Sequence, residues 1–512
     1  MKSPPLIGFL RLMLYLSIAS LVGVLYTGGF QIPFTTRIFR EPCTAVFTTL
    51  FFALLVARCS HYASHKMWTL REKNLALLGF IWLIYLSNFR WRGAGDCVGA
   101  SLQPFAFLRN GTLYLDEYRV TFFSDPTNIA GAYLRNGHWI TKYPSAAGIL
   151  LTPFYVLSVL GGVQPTDLLV HQLQKIGASF MVVLSAWFLL NSLSRFVERR
   201  WAVILTLAYA LGTESLSTSS QGIWQHGPSQ LFIALGVYAL FCSQNNERWI
   251  WLSGFSLGMA VWCRYSDLFI FAFMGLYLWL ARDRFRALRW TLSSLPPAAC
   301  VFADNYFHGG HFFQTGYSEL GIRFTLHFVE GFLGLLFSPA RGLFLYSPFV
   351  LFSIWGFALA WRSVKWRFWR VLSLACVATV FFYSTYTDWP GGWCFGPRYM
   401  ADIGPLLVLG VVPLLERLER SVVLRKFFFL SLFYSILVHA IGAAFTWHWE
   451  DLTQVSVWNT ARYPVIYLIR QVFISGGPDR IEGLIVLLAL ISMIVWFLIP
   501  GNTRRWHRDE HV

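Results

Sequence analysis

The chain has 512 residues, of which 56% are hydrophobic and only 13% are charged, and its mean hydropathy is +0.52. A soluble globular protein carries about twice that charged fraction, so the composition excludes the class of soluble globular proteins. The net charge of +16 does not indicate nucleic-acid binding, because the basic residues stand in short clusters between apolar segments. The sequence therefore predicts an all-α, polytopic helical membrane protein without a separate soluble domain.

Apolar segments suited to crossing a bilayer of about 30 Å recur along the whole chain. About fourteen spans are predicted, at 6–26, 42–57, 76–89, 173–193, 201–213, 229–243, 249–263, 266–281, 290–306, 343–361, 371–387, 403–416, 427–446 and 482–500. The first of them follows a charged start but lacks a convincing small-residue cleavage site. It is therefore interpreted as a retained span and not as a signal peptide.

Clusters of basic residues separate these spans and predict the topology. They lie at 58–73, 195–200, 282–289, 362–370, 417–426 and 504–508. If each cluster is cytoplasmic, an even number of crossings separates successive clusters. This holds only if the apolar segment Ala146–Leu160 lies at the outer interface without crossing. Both termini are then cytoplasmic, and the main outer regions are 89–172, 214–228, 307–342, 388–402 and 447–481.

The first large outer loop, 89–172, groups several acidic residues in a chain that has only 25 Asp and Glu. Asp96 follows a span closely, where a half-desolvated carboxylate near basic residues can act as a general base or hold a metal. Its alternative role is the N-cap of the stretch that follows. Asp116 and Asp125 lie in turn-forming sequences, so they are either further acids of a site or residues of solvated turns.

Two later outer segments combine polar, aromatic and basic residues. The first, 220–228, contains Gln225 and His226 beside a tryptophan. Such surroundings suit sugar hydroxyls, although ordinary interfacial packing explains them too. The second is the short connection between the spans 249–263 and 266–281, where Arg264 precedes Asp267 by three residues. Arg264 has either a binding role or a local ion pair with Asp267.

Arginines also stand in two Gly- and Pro-rich outer segments. Arg341 lies where a span begins, and Arg398 lies in the segment 388–399 together with Trp393 and Tyr399. An arginine in such a segment suits a phosphate, for example that of a lipid. The alternatives are an ordinary interfacial turn and the tolerance of long loops for positive charge. For Arg398 a further alternative is a structural salt bridge with Asp388 or Asp402.

The eight cysteines show no metal-ligand spacing. Cys97 and Cys394 both fall in predicted outer regions, so a disulfide between them is one option and two separate thiols the other. The sequence contains no nucleotide-binding, zinc-protease or nucleophile-elbow motif, which argues against an ATP-driven pump. It shows no internal repeat of spans, which argues against a secondary transporter.

Gly95-Asp96 after an early span, Lys142-Tyr143-Pro144 before an interfacial helix, and the late Ser-Pro-Ala-Arg-Gly and Gly-Pro-Arg-Tyr segments together resemble the GT-C superfamily of glycosyltransferases. The resemblance is closest to the dolichyl-phosphate-mannose mannosyltransferase and aminoarabinose-transferase types. It covers roughly 75–460. The expected domains are an N-terminal pair of spans at 1–75, a catalytic transmembrane domain at 76–460, and a last outer segment, final span and basic tail at 461–512.

The resemblance implies transfer of a sugar from a polyprenyl-phosphate donor to a glycan, lipid or protein acceptor, at the outer face of a bacterial cytoplasmic membrane. Asp96 matches the catalytic base, and Asp116 or Asp125 would supply a second acid, because Cys97 follows Asp96. Lys142 matches the basic residue of the family's Lys-Pro segment, although Tyr143 is interposed before the proline, and both residues are expected to bind the substrate. No cofactor is expected, although Mg²⁺ remains an option. The alternatives are a lipid-linked polysaccharide polymerase or ligase, and a transporter or flippase.

The resemblance implies that the acceptor displaces the lipid phosphate directly at the anomeric carbon of the sugar. The leaving lipid phosphate would be stabilised by one or more of three arginines, namely Arg264, Arg341 and Arg398.

Overall fold

The computed structural model describes residues 4–32, 38–64, 68–88, 95–122, 131–281, 283–317, 323–326, 328–392, 394–445, 456–466, 485 and 487–488. Two predicted site residues, Asp125 and Trp393, lie outside these ranges. So do the basic tail and nearly all of the predicted last span, 482–500.

The described part of the chain is mostly helical, as the composition predicts. The helices are α1 (Pro4–Thr27), α2 (Pro42–Ser64), α3 (Leu70–Leu86), α4 (Val98–Asn110), α5 (Arg119–Phe122), α6 (Ala146–Leu160), α7 (Asp167–Leu193), α8 (Arg199–Leu211), α9 (His226–Cys242), α10 (Trp249–Cys263), α11 (Leu268–Leu280), α12 (Arg284–Ser293), α13 (Leu295–Gly309), α14 (Phe328–Phe337), α15 (Leu343–Tyr346), α16 (Val350–Ala360), α17 (Arg367–Ser384), α18 (Gly404–Leu409), α19 (Leu415–Arg420) and α20 (Val422–Phe445).

Two short antiparallel hairpins accompany the helices. One pairs β1 (Phe30–Gln31) with β2 (Ile38–Phe39), and the other pairs β3 (Ala132–Arg135) with β4 (His138–Thr141). In the second hairpin Ala132 faces Thr141 and Arg135 faces His138. The sequence analysis did not predict either hairpin.

Four of the described helices are long and apolar enough to cross a bilayer unaided, at Leu6–Thr27, Pro42–Ser60, Asp167–Leu193 and Val422–Ala444. Other apolar helices have only 10–17 residues, fewer than the roughly 20 that a straight span needs. These four helices indicate a membrane protein. The described residues contain fewer full-length spans than the roughly fourteen that the sequence predicts.

Local sequence explains where several helices begin and end. Thr69 and Glu72 form a capping box at the start of α3, and the Thr166 hydroxyl accepts the Leu169 N–H at the start of α7. Gly111 and Gly310 end α4 and α13 with φ values of 65° and 73°. Only glycine adopts this left-handed conformation at little energetic penalty.

The basic segments meet at one end of the helix bundle. Arg199, at the start of α8, bonds Asn74 near the start of α3 at 2.7 Å. The Trp201 indole donates to Glu419 of α19 at 2.6 Å, and Arg286 of α12 donates to Ser243, just after α9, at 2.7 Å. Helices α8, α10 and α17 begin at this basic end, so their other ends point to the opposite side of the bundle.

The N-terminal helices pack on α6 and α7. The Cys43 amide at the start of α2 donates to the Gln172 side chain of α7 at 3.0 Å. At the ends of α1 and α6, a Cβ on Gly161 would collide with the Tyr26 carbonyl. The ends of these two helices therefore approach as closely as glycine permits. Helix α6 has the bounds that the sequence predicts for the interfacial segment.

Candidate functional site

The end of the bundle opposite the basic segments brings Asp96 and Arg398 together. Asp96 lies in the single turn Gly95–Cys97, and its Oδ2 is 3.3 Å from Nη1 of Arg398, 302 residues later in the chain. Asp96 remains 38% exposed. It does not cap α4, because the N-cap residue is Cys97 and no side chain caps that helix. The carboxylate therefore faces the candidate site.

Close backbone contacts fix the turn that carries Asp96. A Cβ on Gly131 would lie 2.6 Å from the Asp96 carbonyl oxygen, and a Cβ on Gly99 would lie 2.6 Å from the Gly131 carbonyl oxygen. Gly131 also has a φ of 74°. Glycine at both positions therefore allows the start of the β3–β4 hairpin to press against the Asp96 turn.

Arg398 is held by aromatic rings and leaves part of its guanidinium unused. Its Cζ lies 4.7 Å from the centre of the Trp224 ring and 5.3 Å from that of Tyr399, distances at which a cation is attracted to a ring. Its side chain is only 11% exposed. Yet its Nε has no hydrogen-bond partner among the described residues. A buried donor without an acceptor is unfavourable, so this position favours a ligand with oxygen acceptors.

Arg341 has a different environment from Arg398, although the sequence suggested the same role for both. Its Nε donates to the Pro390 carbonyl at 2.5 Å, its Nη2 to the Gly392 carbonyl at 2.8 Å, and its Nη1 to the Ala340 carbonyl at 3.0 Å. Only 1% of Arg341 is exposed. The guanidinium thus binds the backbone of the 388–399 segment, and we assign it a structural role in place of phosphate binding.

The 388–399 segment owes its shape to three glycines in left-handed conformations. Gly391, Gly392 and Gly396 have φ values of 77°, 63° and 63°. A Cβ on Gly391 would lie 3.2 Å from Nε of Arg398, so this glycine leaves room for the arginine. The glycine density that the sequence shows therefore serves the placement of Arg398.

Tyr143 and Gln225 join the site through Tyr317. The rings of Tyr143 and Tyr317 are 5.7 Å apart, and the Tyr317 hydroxyl donates to Oε1 of Gln225 at 2.7 Å. Burial, with the negative charge of Asp96, raises the pKa of Tyr143 well above its usual value, so its hydroxyl stays neutral. Nε2 of Gln225 is buried and has no hydrogen-bond partner in the described structure. It is a second unused donor in the same region.

His226 and Arg264 lie beneath this region in a buried network around Asp402. The His226 Nδ1 is 2.8 Å from Oδ1 of Asp402, and Nη1 of Arg264 is 3.1 Å from Nε2 of His226. Arg264 Nε lies 2.7 Å from Oδ2 of Asp402, a charge contact, while its N–H is directed at the Tyr383 hydroxyl at 2.9 Å. The local ion pair between Arg264 and Asp267, one of the sequence-based alternatives, is replaced by this pairing with Asp402.

The remaining predicted residues have other contacts or lie beyond the described structure. Asp116 accepts the Trp139 amide at 2.6 Å and contacts the His138 ring at 2.7 Å, so it braces the β3–β4 hairpin. Lys142 is half-buried just after β4. Cys394 is a free thiol, so a disulfide with Cys97 is not formed.

The sequence analysis did not predict Tyr317, Tyr383 and Asp304 as residues of the site. It considered Asp402 only as a salt-bridge partner of Arg398. Asp402 stands just ahead of an apolar run, and Tyr383 stands within a helix that reads as a plain span. Asp304, near the end of α13, accepts the Ser145 amide at 2.9 Å and so holds the segment that carries Tyr143. An acid near the end of a predicted span was the available signal for Asp402 and Asp304, because a buried carboxylate there needs a partner.

No group of three or more His, Cys, Asp or Glu among the described residues is arranged to hold a metal ion. No family model, curated protein or solved structure matches this chain. The functional argument therefore depends on the geometry of the site.

Proposed function

We propose that this chain is a membrane glycosyltransferase that moves a sugar from a polyprenyl-phosphate donor to an acceptor hydroxyl at the outer face of a bacterial cytoplasmic membrane. The single observation that carries the proposal is the contact between Asp96 and Arg398 at 3.3 Å. A half-exposed carboxylate beside an incompletely bonded arginine provides a proton acceptor and an anion partner in one site.

The proposed reaction is a single displacement at the anomeric carbon. The acceptor oxygen attacks this carbon and passes its proton to Asp96, while the bond from the carbon to the phosphate oxygen breaks. The lipid phosphate leaves with the bonding electron pair, and Arg398 stabilises its charge. Trp224 and Tyr143, both half-buried, supply ring surface on which a sugar packs, with the unused donor of Gln225 near its hydroxyls.

Donor binding would also release the base. In the free protein Arg398 pairs with Asp96. A phosphate that accepts hydrogen bonds from Arg398 competes for the same guanidinium. We therefore expect the donor to bind before the acceptor and to free Asp96 for proton transfer.

The distribution of charge supports the proposed orientation. The basic segments lie at the end of the bundle opposite Asp96 and Arg398, and basic segments of membrane proteins are mostly cytoplasmic. If the chain crosses the membrane about fourteen times and Ala146–Leu160 lies at the interface, the site opens on the outer side. Several spans would then consist of two short helices in sequence, as with α12 and α13.

The test is transfer by the purified protein with a panel of polyprenyl-phosphate sugars and labelled acceptors. Asp96→Asn keeps the size of the side chain but removes the proton acceptor, so turnover should fall by roughly 10²–10⁴-fold. Asp116→Asn is the matched control, because this carboxylate of the same loop braces the hairpin. The absence of transfer with every donor, or near-normal turnover in Asp96→Asn, would contradict the proposal.

A further inference from the structure

We infer that Asp402 is a positioning residue that sets the place of Arg398 opposite Asp96. The inference rests on the proposed function for its kinetic test, but the geometry behind it does not. Asp402 is fully buried and lies four residues after Arg398. The sequence suggested it only as a salt-bridge partner of Arg398, whereas the arginine that pairs with it is Arg264.

Asp402, His226 and Arg264 form a closed triangle of contacts. His226 donates its Nδ1–H to Oδ1 of Asp402 at 2.8 Å and accepts an N–H from Arg264 at Nε2, 3.1 Å away. The third side is the charge contact between Arg264 Nε and Oδ2 of Asp402 at 2.7 Å. This arrangement gives the imidazole one donor and one acceptor bond, which is the pattern of a neutral histidine.

The triangle joins three loops that each carry part of the site. His226 directly follows Trp224 and Gln225 at the start of α9. Arg264 ends α10, and Asp402 follows the turn Arg398–Met400. Among the described residues, the contacts of Asp402 with His226 and Arg264 link these loops through a charged group.

A chain of contacts leads from the triangle to Arg398. Nη2 of Arg264 donates to the Tyr383 hydroxyl at 2.5 Å. The Tyr383 ring stacks on Tyr399, with centres 4.4 Å apart and planes 4° from parallel. Arg398 lies over the same Tyr399 ring. A shift of Asp402 therefore moves the platform on which the Arg398 guanidinium rests, as well as the turn that bears it.

A purely structural role for Asp402 predicts a different result from a positioning role. Loss of a buried charge partner lowers stability in either case, so thermal melting alone does not discriminate. A positioning residue acts through Arg398, and its effect on transfer should depend on whether Arg398 is intact. A structural residue lowers the amount of folded protein and leaves the kinetics of the folded fraction unchanged.

The kinetic test is a double-mutant cycle of Asp402→Asn with Arg398→Lys. Asp402→Asn should lower kcat of folded enzyme roughly 10–100-fold, the loss that a misplacement of about 1 Å produces. In the Arg398→Lys background the same change should have little further effect. Asp402→Asn/Arg264→Gln, which removes both charges of the pair, provides a second variant if the single one does not fold. If the double variant loses kcat by the product of the two single losses, the two residues act independently and the inference is overturned.

A second measurement does not need transfer activity. The pair Asp96→Cys/Arg398→Cys, with Cys97 and Cys394 replaced by alanine, is treated with a short bifunctional thiol reagent. The cross-link yield should fall when Asp402→Asn is added and persist with Glu214→Gln, a buried acid whose ionic neighbour is His439 and which has no contact with the triangle among the described residues. Equal cross-link yields with and without Asp402→Asn would overturn the positioning role. If wild-type protein transfers no sugar, the proposed function fails, and the cross-link still decides the inference.

Discussion

Arg341 and Arg398 show how much of a site depends on the partners of a single side chain. Both arginines stand beside glycine and proline in outer segments, and the sequence predicts a phosphate for each. The structure gives Arg341 three backbone carbonyls, whereas Nε of Arg398 has none. The same residue type therefore has a scaffold role in one segment and a candidate binding role in the next.

Arg398→Lys should impair transfer and leave folding nearly intact. Lysine keeps the positive charge but loses the planar fork that binds two phosphate oxygens at once. We expect the donor KM to rise or kcat to fall by about tenfold or more, since the loss of one charge-assisted hydrogen bond weakens binding by about 1.5–3 kcal/mol. Donor kinetics and a melting curve of the same preparation measure both effects.

Arg341→Lys should give the opposite pattern. A lysine cannot reach the carbonyls of Ala340, Pro390 and Gly392 together, so buried acceptors lose their partners. The loss should lower the free energy of unfolding by about 1–3 kcal/mol per unsatisfied group. Donor kinetics of the folded fraction should stay near normal. A changed KM with an unchanged melting temperature would contradict the structural assignment of Arg341.

At the residue scale, the sequence predicted the surface of the site better than its support. Asp96, Tyr143, Gln225, Arg398 and Tyr399 were recognisable because polar and aromatic residues interrupt apolar runs there. The acid of the support, Asp402, was visible near the end of a predicted span. Its partner was not predictable, because Asp402 bonds a histidine 176 residues away and such pairs leave no local pattern.

At the element scale, hydrophobic patterning predicted helix positions well and short polar elements poorly. The bounds of α6 were predicted because a continuous apolar run follows Lys142-Tyr143-Pro144. The β3–β4 hairpin was missed, since each strand has only four residues and the stabilising contacts are to distant elements. Arg135 donates to the Gly309 carbonyl at 2.5 Å and Tyr133 to the His308 carbonyl at 3.1 Å.

Asp304→Ala should loosen the connection between this hairpin and α13. Asp304 accepts the Ser145 amide at 2.9 Å and the Trp262 indole N–H at 3.3 Å. Its removal leaves the Ser145 N–H without an acceptor, so stability should fall by about 1–3 kcal/mol. Because Tyr143 lies two residues before Ser145, the donor KM should rise as well.

Asp304→Asn is the matched control for that change. The asparagine oxygen can still accept the Ser145 amide, so both the melting temperature and the donor KM should stay closer to wild type than in Asp304→Ala. Identical losses in the two variants would show that the carboxylate charge, and not the hydrogen bond to Ser145, is what the hairpin requires.

At the scale of the whole molecule, the number of spans was harder to predict than their positions. Hydropathy counts apolar residues and is blind to breaks in the helical hydrogen bonds. The predicted span 290–306 falls on two helices that meet at Ser294, before Pro296 and Pro297. The predicted span 343–361 is likewise divided near Pro348. Proline lacks the N–H that would continue a helix, so such spans are assembled from shorter pieces.

The orientation of the chain in the membrane is tested by cysteine labelling on both sides of α6. Val120→Cys and Leu326→Cys place thiols at positions that are 83% and 95% exposed, in regions predicted to be outside. Arg200→Cys places one in a basic segment predicted to be cytoplasmic. An impermeant maleimide should label the first two in intact cells and the third only after permeabilisation, with the parent protein as control for native thiols. If Val120→Cys and Arg200→Cys react from the same side, Ala146–Leu160 crosses the membrane. Every later basic segment would then be outside. Asp96 and Arg398 would be assigned to opposite sides of the membrane although they are in contact, so this result would overturn the predicted topology.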